Sequence, residues 1–199
     1  MKIIGVTGGV GAGKSAILSY LEETYGAKVV LADQVSNLLK EPGQSCYQPI
    51  IDLLGRDILQ DDGTINRKEM GNRIFTNEKL LARVNEIIHP AVKTYILTEI
   101  ESERKKGRQL FVVEAALLLE AHYEEMCDEV WYIYTDESVR RQRLKESRGY
   151  SDEYISHIMA KQLSEAVFRQ KSDFVIDNSG TLEGTKKQID QRIQRNEIM

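Results

Sequence analysis

Gly8-Gly9-Val10-Gly11-Ala12-Gly13-Lys14-Ser15 follows an apolar segment, Ile3-Ile4-Gly5-Val6-Thr7, near the start of the chain. The octapeptide fits the pattern G-x-x-x-x-G-K-[ST] at every fixed position, and the segment before it has the composition of a β-strand. In this pattern, glycines let the backbone turn so that its N–H groups point inward, and the following helix adds its positive N-terminal end. The stretch therefore predicts a phosphate-binding loop (P-loop) between a strand and a helix.

The P-loop predicts a site for ATP and Mg²⁺. We expect Lys14 to bind the β- and γ-phosphates and the Ser15 hydroxyl to ligate the Mg²⁺ ion that bridges them. The residues predicted to bind ATP in this segment are Gly8, Gly9, Val10, Gly11, Ala12, Gly13, Lys14, Ser15 and Ala16.

Two other interpretations of the loop compete with the P-loop. One is a glycine-rich turn without a ligand. The other is a dinucleotide-binding fingerprint, because Gly9-Val10-Gly11 supplies G-x-G and the acidic Asp33 lies about twenty residues further on. Lys14 argues against the fingerprint, since it occupies the position of the third glycine and would crowd the contact between helix and strand.

Composition favours one soluble domain that acts on small molecules. A chain of 199 residues with 41% hydrophobic residues can bury one core. A net charge of −4 gives no general attraction to nucleic acid or anionic lipid, and no apolar run is long enough to span a bilayer. Cys46 and Cys127 lie outside any CxxC spacing. We expect a cytoplasmic protein, monomeric or weakly homo-oligomeric, without nucleic-acid or membrane partners.

The order of apolar segments predicts an α/β fold, a three-layer sandwich around a mainly parallel five-stranded sheet. The predicted strands are 2–7, 27–31, 109–113, 129–134 and 174–176. We predict a single domain over 1–199. It has a core of about 1–33 and 108–199, a helical insertion of about 34–107 without a convincing strand, and a lid of about 140–165.

Two breaks are predicted inside the helical segments. His89-Pro90 is expected to interrupt the helical pattern of the insertion, because proline lacks a backbone N–H. In the lid, Arg148-Gly149-Tyr150 is expected to end one helix, and Ser151 to start the next, which makes this stretch a candidate hinge.

Two acidic residues at strand ends are candidates for chemistry. Asp33 follows the second predicted strand, whose carboxyl end is expected to open into the same crevice as the P-loop. It is either a base that takes the proton of an acceptor hydroxyl or the N-cap of the next helix. Glu114 ends the third predicted strand, and it either holds a water bound to Mg²⁺ or forms a cap or ion pair.

Arg140 and Arg143 lie three residues apart on one face of a predicted helix in the lid. Guanidinium groups there are suited to stabilising the phosphoryl group during its transfer. The alternative is an ordinary solvated charged helix, an interpretation that suits Arg141 and Lys145.

In the order of its motifs the chain resembles dephospho-CoA kinase, over nearly its whole length. The motifs that carry this resemblance are Thr7 to Ser15, Val30-Leu31-Ala32-Asp33, Leu53-Leu54-Gly55, Asp62-Gly63, Asn66-Arg67, Ile88-His89-Pro90, Leu117-Leu118-Leu119-Glu120, Arg140 to Gly149, Gln162 and Ile176-Asp177-Asn178-Ser179-Gly180. The resemblance implies that ATP phosphorylates the ribose 3′-hydroxyl of dephospho-CoA to give CoA, the last step of coenzyme A synthesis.

The resemblance also implies roles for single residues. It makes Asp33 the base and Asn178 a neighbour of the ATP adenine, although Asn178 also suits a turn before Gly180. It places His89, Arg67 and Glu120 among the acceptor-binding candidates, and His89 alternatively marks a helix start.

The chain departs from the family pattern in two places. Ala116 replaces a common proline, and Ser147 stands where a lid arginine is common, with Arg148 one residue later. The second departure leaves open which lid arginine reaches phosphate.

Other functions share the same loop. Another small-metabolite or nucleoside monophosphate kinase would use the same loop, base and lid, and would differ in its acceptor. A nucleotide-dependent switch would bind ATP without transferring phosphate to an acceptor.

Overall fold

Five short apolar segments form a parallel β-sheet, as predicted. In the computed structural model, which describes residues 1–195, the strands are β1 (Lys2–Thr7), β2 (Lys28–Leu31), β3 (Leu110–Glu114), β4 (Glu129–Tyr134) and β5 (Phe174–Asp177). Their order in the sheet is β2-β3-β1-β4-β5, and β1 pairs in parallel with both β3 and β4. The sheet thus places β1, which leads into the P-loop, at its centre.

The central strands are buried along almost their whole length. Ile4, Phe111, Trp131 and Ile133 are each 0% exposed. A parallel sheet is covered by helices on both faces, so its strands are continuous apolar runs without the alternation of a half-exposed sheet. This explains why these runs could be recognised in the sequence.

The helices, in chain order, are α1 (Lys14–Tyr25), α2 (Ala32–Leu39), α3 (Tyr47–Leu54), α4 (Arg67–Phe75), α5 (Glu78–Lys105), α6 (Glu137–Arg148), α7 (Asp152–Ala160), α8 (Glu165–Gln170) and α9 (Leu182–Arg195). Short 3₁₀ turns cover Arg56–Ile58 and Tyr123–Met126. Within the described residues, no helix combines the length and the apolar character needed to cross a bilayer.

The chain divides into two compact units. One comprises Met1–Val30 and the described chain from Ile100 onward, and the other comprises Leu31–Glu99. The regular structure of the second unit is helical apart from Leu31, the last residue of β2, and one isolated bridge between Leu59 and Ile65. This unit covers much of the predicted insertion 34–107. The predicted division of the domain into core, insertion and lid stays a prediction.

The predicted interruption at His89-Pro90 is wrong. Helix α5 runs without a break from Glu78 to Lys105 and contains Pro90. A proline inside a helix removes one hydrogen bond and crowds the preceding turn. Burial outweighs that local penalty, because Val84, Ile88 and Val92 flank the proline at helical spacing and are at most 9% exposed.

The predicted break in the lid segment is present. Helix α6 ends at Gly149, which adopts the left-handed conformation with φ 64°. Helix α7 begins after Ser151, whose hydroxyl accepts a hydrogen bond from the Tyr154 N–H. That this break acts as a hinge stays a prediction.

Candidate active site

The P-loop spans the gap between the end of β1 at Thr7 and the start of α1 at Lys14. Two of its glycines, Gly11 (φ 78°) and Gly13 (φ 82°), adopt left-handed backbone conformations that strain other residues. The N-cap of α1, Gly13, has no side-chain cap. The first N–H groups of α1 are therefore available to a phosphate, which is the arrangement that binds anions at helix ends.

Lys14 lies along the P-loop and contacts the end of β3. Its ammonium group donates a hydrogen bond to Gly8 O at 2.8 Å and lies 3.5 Å from Glu114 Oε1. The side chains of Lys14 and Glu114 are only 17% and 12% exposed. Of the two interpretations of Glu114, this contact supports an ion pair in the free protein.

Ser15 and Ala16, the next residues of α1, are exposed. Ser15 begins the helix directly beside Lys14, and its hydroxyl makes no hydrogen bond within the described residues. Among these residues no group of three or more His, Cys, Asp or Glu side chains is placed to hold a metal ion. A hydroxyl ligand supplemented by phosphate oxygens and water fits Mg²⁺, which keeps several waters and binds few protein groups.

Side chains distant in sequence form hydrogen bonds with the P-loop backbone. The carbonyl of Ala12 accepts hydrogen bonds from Thr135 Oγ1 (3.0 Å) and Asn178 Nδ2 (2.8 Å). Asn178 is 5% exposed, and its Oδ1 accepts from Thr185 Oγ1 at 2.8 Å. Asn178, predicted as a neighbour of adenine or as a turn residue, is thus engaged by the P-loop backbone, while Thr135 and Thr185 were not predicted.

The two candidate arginines of α6, Arg140 and Arg143, both reach the P-loop region. Arg140 Nε donates to Val10 O at 2.9 Å, and Arg143 Nη2 donates to Asn178 O at 3.0 Å. Burial lowers the pKa of Arg140, which remains a cation at neutral pH. Arg143 Nη1 is buried without a hydrogen-bond partner within the described residues, and such a group is rare unless a ligand or water completes it.

The other charged residues of α6 behave as a solvated helix. Arg141 bonds Glu137 of its own helix and Ser156 of α7, and Lys145 pairs with Asp152 at 2.7 Å. Ser147, at the departure from the family pattern, donates to the carbonyl of Arg143.

Arg148, the residue after Ser147, lies with its guanidinium carbon 5.8 Å from the centre of the Tyr150 ring. The contacts therefore distinguish Arg140 and Arg143 from the other cations of α6.

Asp33 is the second residue of α2, whose N-cap is Leu31. The N-cap interpretation of Asp33 is therefore wrong. Its exposed carboxylate makes no hydrogen bond or ion pair within the described residues, and it lies in the first turn, where a negative charge suits the helix dipole.

The acceptor-binding candidates lie in different elements. Arg67 is the first residue of α4, and its guanidinium is 3.7 Å from Glu41 Oε1. His89 lies in the middle of α5, so its interpretation as a helix start is wrong. Its side chain is half-buried, and this burial lowers its pKa. Glu120 is exposed in the turn that follows β3. Their role in binding an acceptor stays a prediction.

The comparison with known families agrees with this geometry. Residues 2–184 match the family model of dephospho-CoA kinase. The chain belongs to the dephospho-CoA kinase family. The dephospho-CoA kinase of Carboxydothermus hydrogenoformans is 37% identical over 191 residues, which cover 95% of this chain and 91% of the relative. The enzyme of Shouchella clausii is 36% identical over 186 residues, 94% of each chain.

Solved structures share the fold of this dephospho-CoA kinase family member. The dephospho-CoA kinase from Campylobacter jejuni aligns with a TM-score of 0.71 at 23% identity, covering 98% of this chain and 96% of that one. A shikimate kinase from Acinetobacter baumannii aligns with a TM-score of 0.54 at 17% identity, covering 100% of this chain and 96% of that one. The predicted P-loop kinase fold is confirmed.

Proposed function

We propose that this protein transfers the γ-phosphoryl group of ATP to the ribose 3′-hydroxyl of dephospho-CoA, giving ADP and CoA. The observation that carries the proposal is the match of residues 2–184 to the dephospho-CoA kinase family. In this chain the lysine of the P-loop and an arginine of α6 both contact the P-loop backbone. The family match supports dephospho-CoA as the acceptor, and the residues of the site support transfer of a phosphoryl group.

The P-loop and its neighbours bind the triphosphate of ATP. The free N–H groups at the start of α1 donate to phosphate oxygens, and Lys14 leaves Gly8 O and Glu114 to meet the β- and γ-phosphates. Arg140 and Arg143 add two permanent charges on the lid side. These groups stabilise the negative charge spread over the transferring phosphoryl group, which is the main task of such a site.

The residues present fit a Mg²⁺ ion that arrives with ATP. Ser15 would supply its hydroxyl as a ligand, and Glu114 would hold a water of the ion once Lys14 has moved to the phosphates. When bound, the ion neutralises charge on the β- and γ-phosphates.

Asp33 serves as the base. The 3′-hydroxyl oxygen forms a bond to the γ-phosphorus while the bond from that phosphorus to the ADP oxygen breaks, and the hydroxyl proton moves to the Asp33 carboxylate. A carboxylate without hydrogen-bond partners in the described protein is free to accept that proton. His89, Arg67 and Glu120 are proposed to contact the acceptor.

The protein acts as a single kinase domain, with its insertion around residues 34–107 and its lid around 140–165. It works in the cytoplasm as a monomer or weak homo-oligomer, without nucleic-acid or membrane partners. The net charge of −4 supports the absence of polyanionic partners. Sedimentation at several concentrations tests the oligomeric state.

The decisive experiment supplies ATP, Mg²⁺ and a panel of acceptors, with masses of the products as the readout. The panel contains dephospho-CoA, nucleoside monophosphates and shikimate. We expect one phosphate to be added to dephospho-CoA alone, and none with Lys14→Ala, while Lys187→Ala, an exposed change on α9, stays active. ATP binding without phosphate on any acceptor would favour a nucleotide switch and overturn the proposal.

A further inference from the structure

The side-chain oxygen of Gln162 accepts hydrogen bonds from two parts of the site. The Val10 N–H donates to Oε1 at 3.2 Å, and Arg140 Nη2 donates to the same oxygen at 3.0 Å. Both partners can only donate, so the oxygen of the amide must face them. Arg140 Nε also donates to Val10 O at 2.9 Å, which closes a ring of three hydrogen bonds between the P-loop, α6 and Gln162.

Gln162 follows α7, the helix next to α6 in the chain, and α6 contains Arg140. The backbone N–H of Gln162 donates to Met159 O in the last turn of α7. Helices α6 and α7 are joined by the Lys145–Asp152 ion pair, and each contributes a residue to the core. Gln162 therefore follows directly on α7, the helix that packs beside α6.

The contact between Arg140 and the P-loop requires glycine at position 9. A Cβ on Gly9 would lie 2.6 Å from Arg140 Nη2 and 2.7 Å from its Cζ. The guanidinium thus lies directly against the loop backbone, and Gln162 completes its hydrogen bonding on that side.

All hydrogen-bond partners of Arg140 are neutral. Val10 O and Gln162 Oε1 accept its protons, and Arg140 forms no ion pair within the described residues. A carboxylate in place of the amide would form stronger, charge-assisted bonds to the same donors. The neutral amide is therefore a weaker structural partner than glutamate, but it adds no negative charge next to Arg140. Glu137 and Glu165 act on the guanidinium only from longer range.

We propose that Gln162 is a positioning residue that orients Arg140 against the P-loop while leaving its positive charge available to the triphosphate of ATP. The inference rests on the proposed function, which assigns the P-loop to ATP, and it adds the residue that prepares Arg140. If Gln162 only stabilised the fold, glutamate could replace it without loss of ATP affinity. If Gln162 keeps the positive charge of Arg140 available, glutamate at this position would weaken ATP binding.

The test is direct calorimetric titration with ATP, together with the melting temperature. Gln162→Glu keeps the shape and both acceptor bonds but adds a negative charge. We expect its melting temperature to equal or exceed that of the wild type, and its Kd for ATP to rise at least about tenfold from charge repulsion. Gln162→Met, which removes both bonds without adding charge, is expected to raise Kd by a smaller factor.

Gln142→Glu is the matched control. Gln142 is exposed on α6, and within the described residues its side chain bonds Glu146 of its own helix alone. The same charge change there should therefore leave Kd within about twofold of the wild type. A wild-type Kd for Gln162→Glu, or an equal rise for Gln142→Glu, would overturn the proposal. Failure of both Gln162 variants to fold would also overturn it, because Gln162 would then act through stability.

The titration contains no acceptor. If dephospho-CoA were not phosphorylated, the proposed function would fail while the result for Gln162 still stood. If Gln162→Glu bound ATP normally, only the role of Gln162 would fail.

Discussion

Lys14 Nζ lies 3.5 Å from Glu114 Oε1, so the lysine of the P-loop is paired with a carboxylate at the end of β3. The register of the sheet explains the contact, because Glu114 is the partner of Val6, two residues before the loop begins. In the free protein the two charges compensate each other. Under the proposed function, the phosphates of ATP compete with Glu114 for the lysine.

This competition gives opposite expected effects for Glu114→Gln on binding and on turnover. Without Mg²⁺, the variant should bind ATP more tightly, because Lys14 no longer has a charged partner. With Mg²⁺, kcat should fall about 10- to 100-fold and more Mg²⁺ should be needed, because the amide is a poorer partner for the water of the ion. Rates over a magnesium series and titration in EDTA measure both effects.

Glu183→Gln, in the exposed first turn of α9, provides the control and should change neither quantity. Normal turnover of Glu114→Gln at low Mg²⁺ would contradict the assignment to the metal water.

Asp33→Asn should separate chemistry from nucleotide binding. Asparagine has a similar shape but cannot accept the proton, so kcat should fall by about 10² to 10⁴ while the Kd for ATP stays near the wild-type value. Asp61→Asn, in an exposed turn, serves as the control. Near-normal turnover of Asp33→Asn would remove Asp33 from its role as the base.

Gly13→Ala and Gly26→Ala form a matched pair that tests the geometry of the P-loop. Both glycines have left-handed backbones, with φ 82° and 60°, and alanine there is expected to lower the free energy of unfolding by about 1–2 kcal/mol. At Gly13, the added Cβ would also lie 2.5 Å from Asn178 Nδ2, whereas a Cβ added at Gly26 would meet no other atom of residues 1–195 within 4 Å beyond its chain neighbours.

We therefore expect Gly13→Ala to lose more stability than Gly26→Ala, and to bind ATP more weakly. Chemical denaturation and ATP titration provide the measurements. Equal losses of stability together with unchanged ATP affinity would show that Asn178 does not need its close approach to the loop.

Glu103 is expected to contribute to the pH dependence of stability. Hydrogen bonds from Lys106 (2.7 Å) and Arg108 (2.9 Å) hold the pKa of Glu103 below its ordinary value of 4.5. Its folded-state pKa is depressed, so its stabilisation is present above pH 4.5 and is lost as the pH falls through the folded-state pKa. Glu103→Gln should thus be less stable than the wild type at neutral pH, with the difference shrinking in acid.

Urea unfolding at neutral pH and near pH 3 measures the effect of Glu103. Glu101→Gln, on the exposed side of the same helix, should show little change at either pH. If the stability difference between Glu103→Gln and the wild type persisted in acid, the effect of Glu103 would come from its packing and not from its charge.

The strands and the P-loop could be predicted because their signals are local. The apolar runs of β1, β3 and β4 are buried, and the fixed positions of the loop are adjacent in the chain. The same local logic failed at Pro90, where buried apolar residues on both sides keep the helix continuous.

The supports of the P-loop could not be predicted, since they join distant parts of the chain. Ala12 and Asn178 are 166 positions apart, and Val10 and Gln162 are 152 apart. Single polar residues such as Thr135 and Thr185 carry no spacing pattern that marks them. Family motifs drew attention to Gln162 and Asn178, but only the folded chain gives their partners.

The match to the family model of dephospho-CoA kinase ends at residue 184, close to the start of α9. The helix nevertheless continues to Arg195 and buries Ile189 and Ile193, and its Asp190 accepts hydrogen bonds from Tyr20 and Tyr25 of α1 at 2.6 Å each. Helix α1 is the one whose first turn is proposed to bind the phosphates of ATP. A fragment that ended at residue 184 would lose these contacts with α1, so the limit of the family model does not mark where a folded fragment can end.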